Sequence, residues 1–352
     1  AEMLNEGTKN KTPEELEEAI NLLGASIYIG TDNESITVNV NTLTRNLGKT
    51  IALVEEMLTQ PRWDTTSFAL VRERIINDIR RRSAEPNFLA LSELNKLRFG
   101  TDNIYATDVN GTKESVKSIT MDDIKEYYEK YISPSTAQLL IVGNIDQPAV
   151  EKEFASLGSK WKQKEVTFPS FTFPASPEKP AIYFVDVPGA KQSVIAIGCL
   201  SIPRGDPEFN AATVANYKLG GSFNGYLNLV LREEKGFTYG ARSGFSGMIN
   251  CGTFTASSSV RSNATLESTE IFRDLMKSYR EKSTQEDVDF TKNSLLKGNA
   301  LRYETQRALL NMLSTMVVYN LPENYISQDE NYIRNLTVEE MNKEINKFID
   351  PM

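Results

Sequence analysis

The sequence predicts an α+β fold made of two homologous α/β domains, each an antiparallel-rich sheet with helices packed on one face. Two observations predict this fold class. A helical segment near the middle of the chain recurs at its end, and a strand followed by two helices precedes each copy. The two copies lie 217 residues apart, the length of a whole domain rather than of a solenoid repeat. We therefore interpret the repeat as a domain duplication.

The recurring helix lies within residues 118–134 and again within residues 335–351, which align without a gap. Both copies open with a threonine followed three residues later by an acidic residue, a pattern typical of a helix capping box. The pairs are Thr120 with Asp123 and Thr337 with Glu340. Apolar residues recur at helical spacing in both copies, and a proline ends each one. Each unit is therefore expected to close with the same helix.

Other elements follow the same order in both halves. Alternating polarity predicts strands, and apolar residues at helical spacing predict the helices that follow them. The first half has a strand at 35–41, a helix through Ile51, Val54 and Met57, and a helix at 68–81. The second half has a strand at 253–259, a helix through Leu266, Ile271 and Leu275, and a helix at 288–302. Further strands are predicted at 137–143, 182–187 and 193–200, and a helix at 207–219.

A proline-rich segment separates the two halves. Residues 166–180 contain four prolines and show no helical period, which is typical of an extended linker. We predict a first domain at 1–162, a linker at 163–180 and a second domain at 181–352. The first domain lacks a segment that precedes the corresponding elements of the second domain. The second domain lacks the strand that follows the terminal helix of the first domain. Both ends are therefore expected to be truncated.

Composition excludes several function classes. The 352 residues carry a net charge of -8, whereas a nucleic-acid surface needs a basic stripe. No apolar run is long enough to span a membrane. The chain has no histidine, which excludes Ser-His-Asp and Cys-His catalysis within it. Its two cysteines, Cys199 and Cys251, lie in strand-like segments and are expected to be buried reduced thiols rather than a disulfide scaffold.

One motif indicates a binding role. A helix is predicted to follow Gly220-Gly221-Ser222 and to end at Gly236, with Arg232 on its last turn and Tyr239 in the next strand. The arginine fork and the tyrosine hydroxyl could together hold a peptide carbonyl. The alternative is that Arg232 pairs with a neighbouring glutamate and that Tyr239 packs as an ordinary strand aromatic.

The segment from Gly220 to Tyr239, with its Leu-Arg-Glu-x-x-Gly-x-x-Tyr core, resembles the second-domain signature of the pitrilysin/insulinase metallopeptidases. The resemblance covers nearly the whole chain. It implies one half of a clamshell around a peptide, in which the other half carries His-x-x-Glu-His and a distal glutamate that hold zinc. It also implies that Arg232 and Tyr239 match the pair that binds the substrate backbone.

The resemblance also shows where this chain departs from the family. The positions of the zinc motif that are visible here hold Ala1 and Glu2, and the distal glutamate would fall near Asp78. We therefore predict no catalytic residue and no metal ligand in this chain, with zinc expected only in a partner half. The strand near residues 27–31 also lacks the Asn-Ala pattern usual for the family's substrate-pairing edge.

Three functions remain open from the sequence. The first is a non-catalytic, peptide-binding half of a zinc metalloendopeptidase. Its expected partner is a catalytic half, either fused to it or a separate subunit, or it forms a homodimer or heterodimer. The second is a structural or assembly module of the same fold. The third is an independent peptidase with an unusual site. The expected ligand is a peptide, with no nucleic-acid partner. The sequence does not identify the compartment, although the periplasm is slightly favoured over the cytoplasm.

Overall fold

The computed structural model describes residues 1–173, 179–281 and 283–349 of the chain. It contains runs of helices and antiparallel strands, as the predicted α+β class requires. The helices are α1 Pro13–Leu22, α2 Leu47–Thr59, α3 Thr65–Arg82, α4 Pro86–Phe99, α5 Lys113–Ser118, α6 Met121–Tyr131, α7 Gln147–Lys160, α8 Phe209–Asn216, α9 Tyr226–Asn228, α10 Thr265–Glu281, α11 Gln285–Arg302, α12 Gln306–Val318, α13 Tyr325–Asn335 and α14 Val338–Phe348. The strands are β1 Ser26–Thr31, β2 Ile36–Asn41, β3 Gln192–Ser201, β4 Thr238–Gly247 and β5 Gly252–Arg261.

The chain divides into two compact units. Unit 1 comprises Ala1–Arg82 and Asp108–Phe171, and unit 2 comprises Ser83–Thr107 and Thr172–Met352. Helix α4 lies inside the predicted first domain, 1–162, but it packs with unit 2. The described parts of the predicted linker contain no helix or strand, and residues 174–178 lie outside the described residues.

Unit 1 is built around an antiparallel pair of strands. β1 pairs with β2 from Ser26 opposite Asn41 to Thr31 opposite Ile36. The turn between them is closed by Asp32, whose Oδ1 accepts the backbone N–H groups of the second and third residues that follow it, both at 2.8 Å. One face of the pair packs on the helices. Its core consists of Leu4, Leu16, Ile29, Leu53, Val54, Met57, Leu58 and Leu157.

Unit 2 contains a three-stranded antiparallel sheet in the order β3-β5-β4. Alternate residues of the central strand β5 point to one side, where Phe254, Ala256 and Val260 are buried. Helices α8, α10 and α14 add further residues to that core, including Val214, Phe272, Met276, Met341 and Ile345. These antiparallel sheets with packed helices confirm the predicted fold class.

The opposite face of this sheet carries α4. Arg98 Nη1 donates to Thr255 Oγ1 at 2.9 Å, and Ser259 Oγ donates to Asn87 Oδ1 at 3.0 Å. Gly198 permits the close approach, because a side chain there would meet Leu94 at 3.1 Å. Such long-range contacts explain why α4 joins unit 2 although it follows the helices of unit 1 directly in the sequence.

The predicted terminal helices are confirmed. Helices α6 and α14 each span 11 residues and begin 217 positions apart. Both open with a complete capping box, in which the threonine hydroxyl accepts the backbone N–H three residues later and its own N–H donates to the acidic side chain. The pair of helices predicted after the strand in each half is also present. These helices are α2 and α3 in the first half and α10 and α11 in the second. The same order of elements therefore recurs along the chain.

Two predicted strands are wrong. Residues 137–143 and 182–187 form no strand, and no strand of the described residues pairs with either segment. Leu139 and Ile182 are exposed to solvent. An apolar run supplies the side chains of a strand, but a strand also needs the backbone groups of a neighbour.

The two thiols differ in environment. Cys251 is buried, as expected, whereas Cys199 is exposed. The expectation for Cys199 is wrong because β3 lies at an edge of the sheet. Within the described ranges, no helix is long and apolar enough to cross a membrane.

Candidate functional site

Arg232 lies on a helical segment with wide turns. The segment begins as α9 and continues through Leu229–Glu234 in π-type turns, a rare geometry that is frequent at functional sites. Leu227 and Leu231 are fully buried and anchor the segment in the core of unit 2. Arg232 follows Leu231 directly, and its guanidinium reaches the surface.

Gly236 ends this segment, as predicted. Its backbone has φ +60°, the left-handed conformation that a side chain disfavours. The N–H of Gly236 donates to the C=O of Arg232 at 3.1 Å, and the N–H of Phe237 donates to the C=O of Leu231 at 2.9 Å. Strand β4 begins at the next residue, so Arg232 and Tyr239 flank the glycine on either side.

The Gly220-Gly221 pair allows the chain before the segment to lie directly on β4. A side-chain carbon at Gly220 would come within 2.5 Å of Ser243 Oγ and 2.6 Å of Ser243 N. A side-chain carbon at Gly221 would meet the side chain and backbone of Asn216 at 3.3 Å. Gly220 is therefore required by packing against the strand that carries Tyr239, whereas Gly221 packs closely against the end of α8.

Two buried asparagines fasten the helical segments to β4. Asn216 Nδ2 donates to the C=O of Ser243 at 2.8 Å, and Ser243 Oγ donates to Asn216 Oδ1 at 2.6 Å. Asn228 Oδ1 accepts the N–H of Ala241 at 3.2 Å, while its Nδ2 donates to the C=O of Phe223 at 2.8 Å. Sequence reasoning missed both residues, although a lone amide within an apolar helical pattern is a usable signal.

The Arg232 guanidinium contacts a neighbouring carboxylate and an aromatic ring. Its Nη1 lies 2.5 Å from Glu233 Oε1, and its Cζ lies 4.7 Å from the ring centroid of Phe223. The local glutamate pairing foreseen as the alternative is therefore present. An exposed ion pair of this kind contributes only about 0–1 kcal/mol, so it is exchanged for another acceptor at little cost.

Tyr239 is held away from the protein by an irregularity in β4. The pairing of β4 with β5 shifts between Thr238 and Ala241, and Tyr239 within this bulge is 92% exposed. Thr238 Oγ1 accepts the N–H of Gly240 at 3.0 Å. Ser258 Oγ lies 2.9 Å from both Thr238 Oγ1 and the C=O of Gly240. Tyr239 is thus not packed as a strand aromatic, and a bulge that re-aims a side chain is common at functional sites.

The positions expected from the zinc motif lie in unit 1. Ala1 packs against the core of that unit, and the Glu2 carboxylate lies 2.9 Å from Arg74 Nη2. Asp78 pairs with Arg81 at 2.6 Å and with Arg82 at 2.9 Å. Both carboxylates are therefore already paired with guanidinium groups, and an alanine offers no ligand. These residues do not fit a catalytic zinc ion. In the part of the chain that the structure describes, no three His, Cys, Asp or Glu side chains are placed to hold a metal.

Comparisons with known proteins identify the family. The family model described as "Peptidase M16 inactive domain" matches residues 118–295, just over half of the chain. A Helicobacter pylori protein named "Non-peptidase homolog YmxG" is 23% identical, over 99% of this chain and 79% of its own length. A crystal structure of a peptidase M16 inactive domain from Pseudomonas fluorescens is similar with a TM-score of 0.91 and 25% identity, over 99% of this chain and 84% of that one.

A longer protein contains the same fold. The periplasmic protease PqqL from Escherichia coli is similar with a TM-score of 0.79 and 11% identity, over 98% of this chain but only 38% of its own. These matches confirm the resemblance and the non-catalytic character predicted from the sequence. The chain belongs to the peptidase M16 inactive-domain family.

Proposed function

We propose that this chain is the non-catalytic, peptide-binding half of a zinc metalloendopeptidase, in which a partner half carries His-x-x-Glu-His and the zinc ion. The observation that carries the proposal is the pair formed by Arg232 and Tyr239. Both side chains reach solvent on the two sides of Gly236, in a chain without histidine. Their role is to bind and orient a peptide backbone rather than to break a bond.

The local structure supports a binding role for this pair. Wide helical turns and a strand bulge both depart from regular structure, and here they lie on either side of Gly236 within one short stretch. Buried leucines and asparagines hold that stretch rigidly against β4. A rigid support reduces the entropy that is lost when a ligand binds.

Reconstitution with a catalytic half tests the proposal. The chain is mixed with an M16-type subunit that carries His-x-x-Glu-His, and cleavage of an unstructured peptide is followed. We expect Arg232→Ala to lower kcat/KM by about 10- to 100-fold, the loss typical of a hydrogen bond to a charged group.

Arg273→Ala is the matched control, because Arg273 is also exposed and also pairs with the acid that follows it, at 2.8 Å. This variant should cleave like the unchanged protein. Equal turnover for the Arg232→Ala and Arg273→Ala proteins would remove the proposed role.

A structural or assembly module is the second candidate. It is favoured by the name of the H. pylori relative, which describes that protein as a non-peptidase homolog. A pure scaffold needs neither Arg232 nor Tyr239. The two candidates are therefore separated by peptide binding to the isolated chain, which only the first one requires.

A further inference from the structure

Phe223 is an exposed aromatic residue beside the proposed peptide-binding arginine. It lies on the turn between Gly221 and α9, and 64% of its surface is accessible to solvent. A large apolar side chain exposed to this degree contributes little to the core. Its position is nevertheless fixed, because Asn228 Nδ2 donates to the Phe223 C=O at 2.8 Å.

One face of the Phe223 ring is in contact with the guanidinium of Arg232. The Arg232 Cζ lies 4.7 Å from the ring centroid, within the range of a cation–π contact. The remainder of the ring faces solvent. A peptide carbonyl bound to this guanidinium would therefore bring the neighbouring peptide side chain close to an exposed aromatic surface.

We propose that Phe223 is a specificity-determining residue, which favours an apolar or aromatic side chain next to the peptide carbonyl that Arg232 binds. This inference rests on the proposed peptide-binding function. Burial of apolar area between the ring and the ligand supplies the preference, and an acidic or missing side chain gains none of it. Arg232 thus binds the backbone of a peptide whatever its side chains are, whereas Phe223 distinguishes peptides by the side chain next to that carbonyl.

Binding of guest peptides to the full chain tests the inference. Fluorescently labelled peptides share one polar host sequence of Gly, Ser and Asn and differ only in a central Leu, Phe, Asp or Gly. Fluorescence anisotropy gives the affinity of each peptide for the unchanged protein and for Phe223→Ala, Phe223→Tyr and Arg232→Ala. The exposed position of Phe223 makes its variants suitable, since the core does not depend on this side chain.

We expect the unchanged protein to bind the Leu and Phe guests about tenfold more tightly than the Asp and Gly guests, the ratio expected from burial of one apolar side chain. Phe223→Ala should bring this ratio close to one, and Phe223→Tyr should restore it. Arg232→Ala should weaken all four peptides alike.

Two results would contradict different statements. If Phe223→Ala leaves the ratio unchanged, or weakens all four peptides equally, while Arg232→Ala still weakens binding, Phe223 does not select and the inference fails alone. If no peptide binds, or if Arg232→Ala changes nothing, the proposed function fails and the inference fails with it.

Discussion

The hydroxyl of Tyr226 donates a 2.5 Å hydrogen bond to Asp287 Oδ1, which joins the start of α9 to the start of α11. Asp287 is buried, and its second oxygen accepts two hydrogen bonds from Thr284 in the capping box of α11. Burial, and then the nearby Asp287 carboxylate, raise the pKa of Tyr226 above its usual value. One carboxylate therefore fixes both the first turn of α11 and the segment that carries Arg232.

Tyr226→Phe should destabilise the protein by about 1–3 kcal/mol, because it leaves a buried carboxylate oxygen without its donor. Chemical denaturation measures the free energy of unfolding. Tyr183→Phe is the matched control, since Tyr183 is an exposed tyrosine of the same unit and should tolerate the change. An equal free energy of unfolding for both variants would show that the Tyr226 contact is not stabilising.

Gly220→Ala should destabilise unit 2 by about 1–3 kcal/mol, the usual cost of overpacking. The added carbon would lie 2.5 Å from Ser243 Oγ and 2.6 Å from Ser243 N, and the backbone of β4 cannot move aside freely. Gly244→Ala on the same strand meets no atom within 4 Å and should leave stability nearly unchanged. Thermal unfolding gives the melting temperature of each variant. Similar melting temperatures for the two would contradict the packing role of Gly220.

Ser258→Ala should weaken peptide binding about as much as Tyr239→Phe, because Ser258 holds the bulge that projects Tyr239. The two changes should not add in the double variant, since both act through the same hydroxyl. Ser257→Ala, on the opposite face of β5, is the control and should leave binding unchanged. Additive losses in the double-mutant cycle would mean that Ser258 acts independently of Tyr239.

Asp329 should give unit 2 a specific pH dependence. Burial raises the pKa of its carboxyl above the ordinary value, although Tyr325 and Arg204 oppose the shift. A raised pKa means that the folded protein holds the proton more tightly than the unfolded chain. The associated stability is fully present below the unfolded pKa of about 3.9 and is lost as the pH rises through the folded value.

Asp329→Asn removes this titration. The free energy of unfolding of the variant, relative to the unchanged protein, should therefore increase as the pH rises through the folded pKa and stay constant above it. Denaturation curves at closely spaced pH values measure the difference. A difference that does not change with pH would show that Asp329 titrates alike in both states.

Local features of the fold were predictable from the sequence, whereas features that depend on distant partners were not. The capping boxes at Thr120 and Thr337 and the helix end at Gly236 are encoded within a few residues, and all three are confirmed. The exposure of Tyr239 depends on Ser258, which lies 20 residues from Thr238 in the sequence. Only the folded sheet brings these hydroxyl groups together.

Strand pairing shows the same limit. Residues 137–143 and 182–187 have the composition of strands, but no strand within the described ranges pairs with them. The grouping of α4 with unit 2 likewise depends on the Arg98–Thr255 and Ser259–Asn87 hydrogen bonds, which join residues more than 150 positions apart. At the candidate site, the pair Arg232 and Tyr239 came from a motif, whereas Asn216, Asn228 and Phe223 emerged only from contacts.

Peptide affinity of the isolated chain tests the central claim most directly. The Leu-guest peptide is titrated against the unchanged protein, Arg232→Ala and Arg273→Ala, with anisotropy as the readout. We expect the unchanged protein to bind the peptide, Arg232→Ala to weaken this binding by at least about tenfold through the loss of one charge-assisted hydrogen bond, and Arg273→Ala to leave it unchanged. Identical affinities for all three proteins would contradict it.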